Sequence, residues 1–196
     1  MNNMIPRYHM IMDKDTFQLK KRAGKFNGFY QSLSHSEIKC DVDKFLFLLK
    51  KVGGPWHWHN IAKYKDTKNL TEKLKTPNTK VHYILDNMRV IGYFMTVKPN
   101  LNSLSQLSNK DLNGKNIIEI ENIGLFPEQA GQGRGLKIFE MVFDDLFRKH
   151  DAIYLSMTST NHSGMFNFYT KKLGMEFFAT NYAPDPRPQE LQKIAA

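Results

Sequence analysis

The stretch Leu125-Phe126-Pro127-Glu128-Gln129-Ala130-Gly131-Gln132-Gly133-Arg134-Gly135-Leu136 decides how the rest of the chain is read. It joins an apolar run at residues 117–126, which suits a strand, to a segment where Leu136, Phe139, Val142, Phe143, Leu146 and Phe147 recur at helical spacing. Glycines at such a junction let successive backbone N–H groups converge on an anion. The helix that follows adds its positive dipole end and the donors of its first turn. Phosphate binding is the natural inference, and Arg134 could add a charge-assisted contact. Two familiar phosphate loops fail to match. No Gly-Lys-Ser/Thr follows the glycines, and the dinucleotide fingerprint needs a glycine where Leu136 or Ile138 stands.

Working outward, residues 152–157 suit a strand, 165–173 a helix and 175–179 a last strand, so the C-terminal half reads β-α-β-α-β. Upstream, residues 81–85 and 90–97 form two strands joined by a tight hairpin at Asp86-Asn87-Met88-Arg89. The apolar residues Phe45, Leu46, Leu48 and Leu49 predict a short helix over 43–51, stopped by Gly53-Gly54-Pro55, and a second short helix fits 71–75. Residues 1–40 show no sustained period and predict a partly irregular N-terminal extension, while 99–115, rich in Asn, Ser, Lys and Gly, predict an exposed loop. Helices alternating with strands after an antiparallel start imply an α/β fold: a mixed, mainly antiparallel sheet flanked by helices. At 196 residues one domain is expected.

The strand, Pro127, the Gly-x-Gly-x-Gly and the helix together resemble the cofactor motif of the GNAT superfamily of N-acetyltransferases. The resemblance runs most clearly from Glu119 to Phe177, where Asn161 and the segment Tyr169-Thr170-Lys171-Lys172-Leu173-Gly174-Met175 are similar to the family's Asn...Tyr...Leu-Gly-Phe signature. Two departures stand out. Ala130 occupies a position where the family usually has arginine or glutamine, and one extra residue separates Tyr169 from Gly174. Val52-Gly53-Gly54-Pro55-Trp56-His57-Trp58 and Ile123-Gly124-Leu125-Phe126-Pro127 look like a bacterial branch of uncertain substrate. The resemblance implies acetyl-CoA as cofactor, held by Leu125, Phe126, Gly131, Gln132, Gly133, Arg134, Gly135 and Asn161, with the backbone N–H of Leu125 beside the thioester carbonyl.

It also implies direct attack of an amine on the thioester, which needs a base for the ammonium and an acid for the departing thiolate. A lysine-like amine has a pKa near ~10.4, so a base helps at neutral pH. Glu119, eleven residues before Ala130, is the first candidate, acting directly or through water. Glu121 falls on the same face by strand alternation and is the reserve, assigned to the substrate pocket. Tyr169 is the candidate acid; aromatic packing beside Phe166 and Phe168 is the competing role. Trp56 and Trp58 suit the wall of an acceptor pocket for a cationic or aromatic amine, or else close the core. His57 and His59 alternate on one face, but without a Cys or carboxylate partner nearby they predict no metal.

Composition narrows the field. The formal charge of +9 predicts attraction to some anion, yet the basic residues are dispersed over 14–25, 63–80 and 98–115, which disfavours a dedicated nucleic-acid partner. No apolar run approaches the ~20 residues of a membrane span and no export pattern opens the chain, so no membrane partner and a cytoplasmic location are expected. The single Cys40 reads as an ordinary thiol. The leading expectation is an N-acetyltransferase acting on a primary amine of a small molecule or a protein. A non-catalytic acyl-CoA-binding module is the alternative. Acyl-chain length and oligomeric state stay open, a homodimer being compatible with the sequence.

Overall fold

The computed structural model describes residues 4–26, 32–53, 67–107, 112, 114–158 and 162–184. In chain order its elements are β1 (Met4–Asp13), α1 (Lys14–Arg22), β2 (Leu33–Ile38), α2 (Val42–Val52), α3 (Thr67–Lys75), β3 (Lys80–Asp86), β4 (Arg89–Val97), α4 (Leu101–Leu107), β5 (Ile117–Leu125), a 3-10 turn (Pro127–Gln129), α5 (Gly135–Leu146), β6 (Ala152–Thr158), α6 (His162–Asn167), a π-helical segment (Phe168–Leu173) and β7 (Glu176–Pro184). The strands form one seven-stranded sheet in the order β2-β3-β4-β5-β6-β1-β7. Only β5 and β6 pair in parallel; every other neighbouring pair is antiparallel. This is the mixed sheet with flanking helices that the sequence pattern predicts.

Helices cover both faces. On one, α1, α5 and the π-helical segment bury Phe17, Phe143, Phe147 and Leu173 against Met10, Ile118, Ile120 and Leu155 of the strands. On the other, Phe45, Leu48 and Leu49 of α2 and Leu70 of α3 pack on Val81, Tyr93 and Met95. Farther along that face, Leu104 of α4 and Leu112 meet Ile11, Ile117 and Tyr154. Helix starts follow local chemistry: Asp13 accepts the N–H of Thr16 at 2.7 Å to begin α1, and Asp41 accepts that of Lys44 at 2.8 Å to begin α2.

Two expectations are corrected. The described residues of the N-terminal stretch are largely regular: they form β1, α1 and β2, and β1 runs through the sheet between β6 and β7. Its pattern was obscured by Arg7 and His9, polar residues in a strand whose buried histidine finds partners 145 and 172 residues away. Residues 99–115 are not simply a loop either. Leu101, Leu104 and Leu107 lie one turn apart in α4, Asn100 accepts the N–H of Ser103 at 3.2 Å, and Leu104 is buried.

Two irregularities in β5 set up the site. Met95 pairs with Asn122 but Thr96 pairs with Ile120, so Glu121 is an extra residue that bulges the strand. Pairing with β6 ends at Glu119 and Tyr154, although β5 continues to Leu125 and β6 to Thr158. Beyond Glu119 the two parallel strands part, and a wedge opens between them.

Candidate functional site

A cavity of about 540 Å³ lies at this opening, and its lining is mostly apolar. Ile123, Gly124 and Leu125 form its β5 wall, Gly135, Ile138 and Phe139 of α5 another, and Met165, Phe168 and Tyr169 a third. Val52 and Gly53, at the end of α2, close one side. Gly124 is needed here for space: a Cβ on it would stand 2.7 Å from a methyl of Val52.

At the mouth, the 3-10 turn is closed by the N–H of Gln129 to Phe126 O (2.8 Å) and of Ala130 to Pro127 O (3.1 Å). Gly131 and Gly133 then adopt φ of +74° and +71°, and a Cβ added to either would meet nothing within 4 Å. Backbone conformation, not crowding, therefore reserves both for glycine. Both residues and Gln132 are exposed and lie next to the first turn of α5, whose own donors have no intrahelical acceptors.

The N–H of Phe126 donates to Ile91 O at 2.9 Å. Antiparallel alternation then turns the N–H of Leu125, the partner of Gly92, away from β4 and toward the side that β6 has vacated. The Phe126 ring itself lies in the second core cluster with the Lys51 ammonium 4.1 Å above it, outside the cavity lining. Arg134 faces the β3–β4 hairpin: its guanidinium donates to Gln129 Oε1 at 2.5 Å and lies 3.3 Å from Asp86 Oδ2. It pins the loop to the hairpin, and Gln132 lines the same cleft.

Tyr169 is buried, with Phe139 and Phe168 rings at 5.6 and 5.7 Å, and it also lines the cavity. Burial raises its pKa, so the phenol stays protonated at neutral pH. The extra residue before Gly174 is absorbed by the π-helical segment, whose last turn closes from Met175 N to Tyr169 O at 2.9 Å.

Glu119 stands where β5 and β6 part, beside Tyr154. Glu121, on the bulge, forms a 2.5 Å ion pair with Lys73 of α3. Neither carboxylate lines the apolar cavity. Trp56, Trp58, His57, His59 and Asn161 lie outside the described residues. Burial pushes the Cys40 thiol up to about 11, which keeps it protonated near neutrality. Sequence reasoning passed over Tyr154, beside Glu119, and over His9 and Asn181, which connect to it in turn by hydrogen bonds of 2.6 and 2.9 Å. They come from β1, β6 and β7, and no local spacing connects them.

The arrangement suits a long ligand with an anionic head at the glycine turn and an arm along the open edge of β5. No family model and no curated protein matches the chain. Solved structures match over most of it. A functionally unknown conserved protein from Staphylococcus epidermidis superposes with a TM-score of 0.53 at 12% identity, covering 92% of this chain and 60% of that one. A GCN5-related N-acetyltransferase from Kribbella flavida gives 0.51 at 10% identity over 97% and 61%. A tandem GNAT protein from the clavulanic acid biosynthesis pathway gives 0.50 at 11% over 95% and 55%. The likeness establishes the fold, which is that of GNAT acetyltransferases. The chain spans between 55% and 61% of the length of these three structures. Among the described residues, no helix is long and apolar enough to cross a membrane and no group of three or more His, Cys, Asp or Glu side chains could hold a metal.

Proposed function

We propose that the protein is an N-acetyltransferase that moves the acetyl group of acetyl-CoA to a primary amine. The observation that carries the reading is the wedge itself: the glycine turn lies at its mouth, the Leu125 N–H at its open edge and Glu119 where the strands part. The backbone of Gly131, Gln132, Gly133 and Gly135 would hold the pyrophosphate with the help of the α5 dipole. Acetyl-CoA supplies an acyl group activated as a thioester.

Leu125 offers its N–H to negative charge developing on the acyl oxygen. Glu119 accepts a proton from the ammonium, directly or through water, and so exposes the amine lone pair. Tyr169, kept protonated by burial, donates to the leaving thiolate. Arg134 acts through the loop, by holding it against Asp86. Glu121 and Lys73 neutralise each other, so their pair shapes the acceptor side and adds no net charge to it. The acceptor is an amine of a small molecule or a protein.

Isothermal titration with acetyl-CoA and CoA, followed by thiol release over an amine panel, tests the reading. Binding with amine-dependent thiol release is the expected result. No binding at millimolar acetyl-CoA overturns it, and binding without turnover on any amine favours the non-catalytic module. Gly133→Val, which forces a β-branched residue to φ +71°, should weaken acetyl-CoA at least tenfold while the far-UV spectrum stays unchanged.

A further inference from the structure

The glycine turn has a cavity on either side of it. The apolar one described above takes Ala130 and Gly135 into its lining. A second, of about 650 Å³, lies between the turn and the β3–β4 hairpin and takes Gln132 and Arg134 instead. The hairpin wall of this second cleft includes Arg89, Val90 and Ile91, three consecutive residues of β4. In a regular strand the middle one would face away from its neighbours. Here Ile84 pairs with Gly92 and Leu85 with Val90, so Ile91 is an extra residue that bulges the strand.

Three charged side chains line the cleft among the described residues, and two of them cancel. Asp86, opposite Arg89 in the β3–β4 register, is paired with Arg134 at 3.3 Å. Arg89 is exposed and makes no ion pair among the described residues. The cleft therefore carries one uncompensated guanidinium, whose planar fork of donors matches a phosphate. Val90, 38% exposed, and the side-chain amides of Asn87 and Gln132 complete a surface that is part apolar and part polar. Such a mixture suits a heteroaromatic base with its sugar, next to a phosphate.

A CoA thioester whose pyrophosphate sits on the glycine turn has two unlike ends to place. One is the arm that carries the acyl group, and the apolar cavity along β5 takes it. The other is an adenosine bearing a 3′-phosphate. We propose that the hairpin cleft receives this 3′-phosphoadenosine end and that Arg89 binds the 3′-phosphate, so that the protein distinguishes CoA thioesters from thioesters lacking that group. The inference rests on the reading of acetyl-CoA as the acyl donor. A merely solvated Arg89 would leave the 3′-phosphate unread.

Isothermal titration of the whole protein with CoA and with dephospho-CoA, which differ only in the 3′-phosphate, tests this. Wild type should bind CoA about tenfold more tightly, as expected of a charge-assisted phosphate contact. Arg89→Ala should weaken CoA by that factor and leave dephospho-CoA unchanged, and the unchanged affinity also reports an intact fold. Arg148→Ala removes an equal charge beyond the far end of α5 and should keep the full preference. A preference that survives Arg89→Ala overturns the proposal, as does a loss of both ligands alike in that variant. An equal effect of Arg148→Ala overturns it too, by showing a distant field and no contact. If wild type binds both ligands equally, this proposal alone falls. If wild type binds neither, the acetyl-CoA reading falls and takes the proposal with it.

Discussion

At the scale of single residues, the site places different demands on neighbouring side chains. Under the proposed reaction, replacing Glu119 by Gln keeps the shape and removes the proposed proton acceptor, so kcat should drop about 100-fold with little change in the KM for acetyl-CoA. Steady-state kinetics on any amine found to turn over will show it; a rise in KM alone would point to a binding role. Elsewhere, two buried titratable groups act on stability in opposite directions. Burial, with His35 adding to it, pushes His82 down to about 4. Its contribution is therefore intact above the unfolded value near 6.5 and is lost as pH falls toward 4, a swing of about 3 kcal/mol. Burial pushes Glu140 up to about 7, against the opposing charge of Lys21 3.9 Å away. The folded protein then holds a proton that the unfolded chain releases above about 4.5, so stability declines as pH rises from there to 7. Denaturant titrations between pH 4 and 7 should show His82→Phe less acid-sensitive than wild type. Glu140→Gln should gain stability relative to wild type as pH rises over that interval; parallel curves would refute both assignments. Glu119, Tyr169 and the glycines could be named as candidates because a short glycine motif and its flanking strand and helix point to them. His9, Tyr154 and Asn181 could not, because hydrogen bonds across the sheet, and no spacing along the chain, bring them together.

At the scale of elements, the irregular backbone is where position is decided. Strand alternation placed Glu119 and Glu121 on one face, and both do lie away from the α5 side, but the bulge gives Glu121 a partner of its own in Lys73. The extra residue after Tyr169 left that ring's orientation open until a π-helical turn was seen to absorb it. The hairpin between β3 and β4 was legible from its four residues, yet it turns with Asn87 at φ 47° and Met88 at φ 65°. A two-residue turn with both φ positive favours Asn-Gly. Met88 is 84% exposed, so its side chain contributes little packing in return. Met88→Gly should therefore raise stability by about 1 kcal/mol, the left-handed cost of a residue with a Cβ, in a urea unfolding experiment. A loss of stability would mean that the entropy released by glycine outweighs the strain removed.

At the scale of the whole molecule, the N-terminal strand is the part whose place only the fold reveals. β1 pairs with β6 on one side and β7 on the other, so it is an interior strand. Removing residues 4–13 should abolish cooperative unfolding altogether, read by far-UV circular dichroism against denaturant, because it strips the ladders of two strands and Met10 and Met12 from the main core. A truncated chain that still unfolds cooperatively would show that β6 and β7 can pair directly. The sequence by itself determined the strand, glycine turn and amphipathic helix that define the site's floor, together with the mainly antiparallel sheet around it. These follow from residue spacing within a few turns of chain, where backbone geometry and burial act locally. Only the tertiary structure decided that β1 is inserted beside β6, that β5 and β6 part at Glu119, and that His9 bonds both Tyr154 and Asn181. Those contacts form between residues far apart in sequence, where the saturation of buried polar groups and strand pairing settle the arrangement and local periodicity carries no record of it.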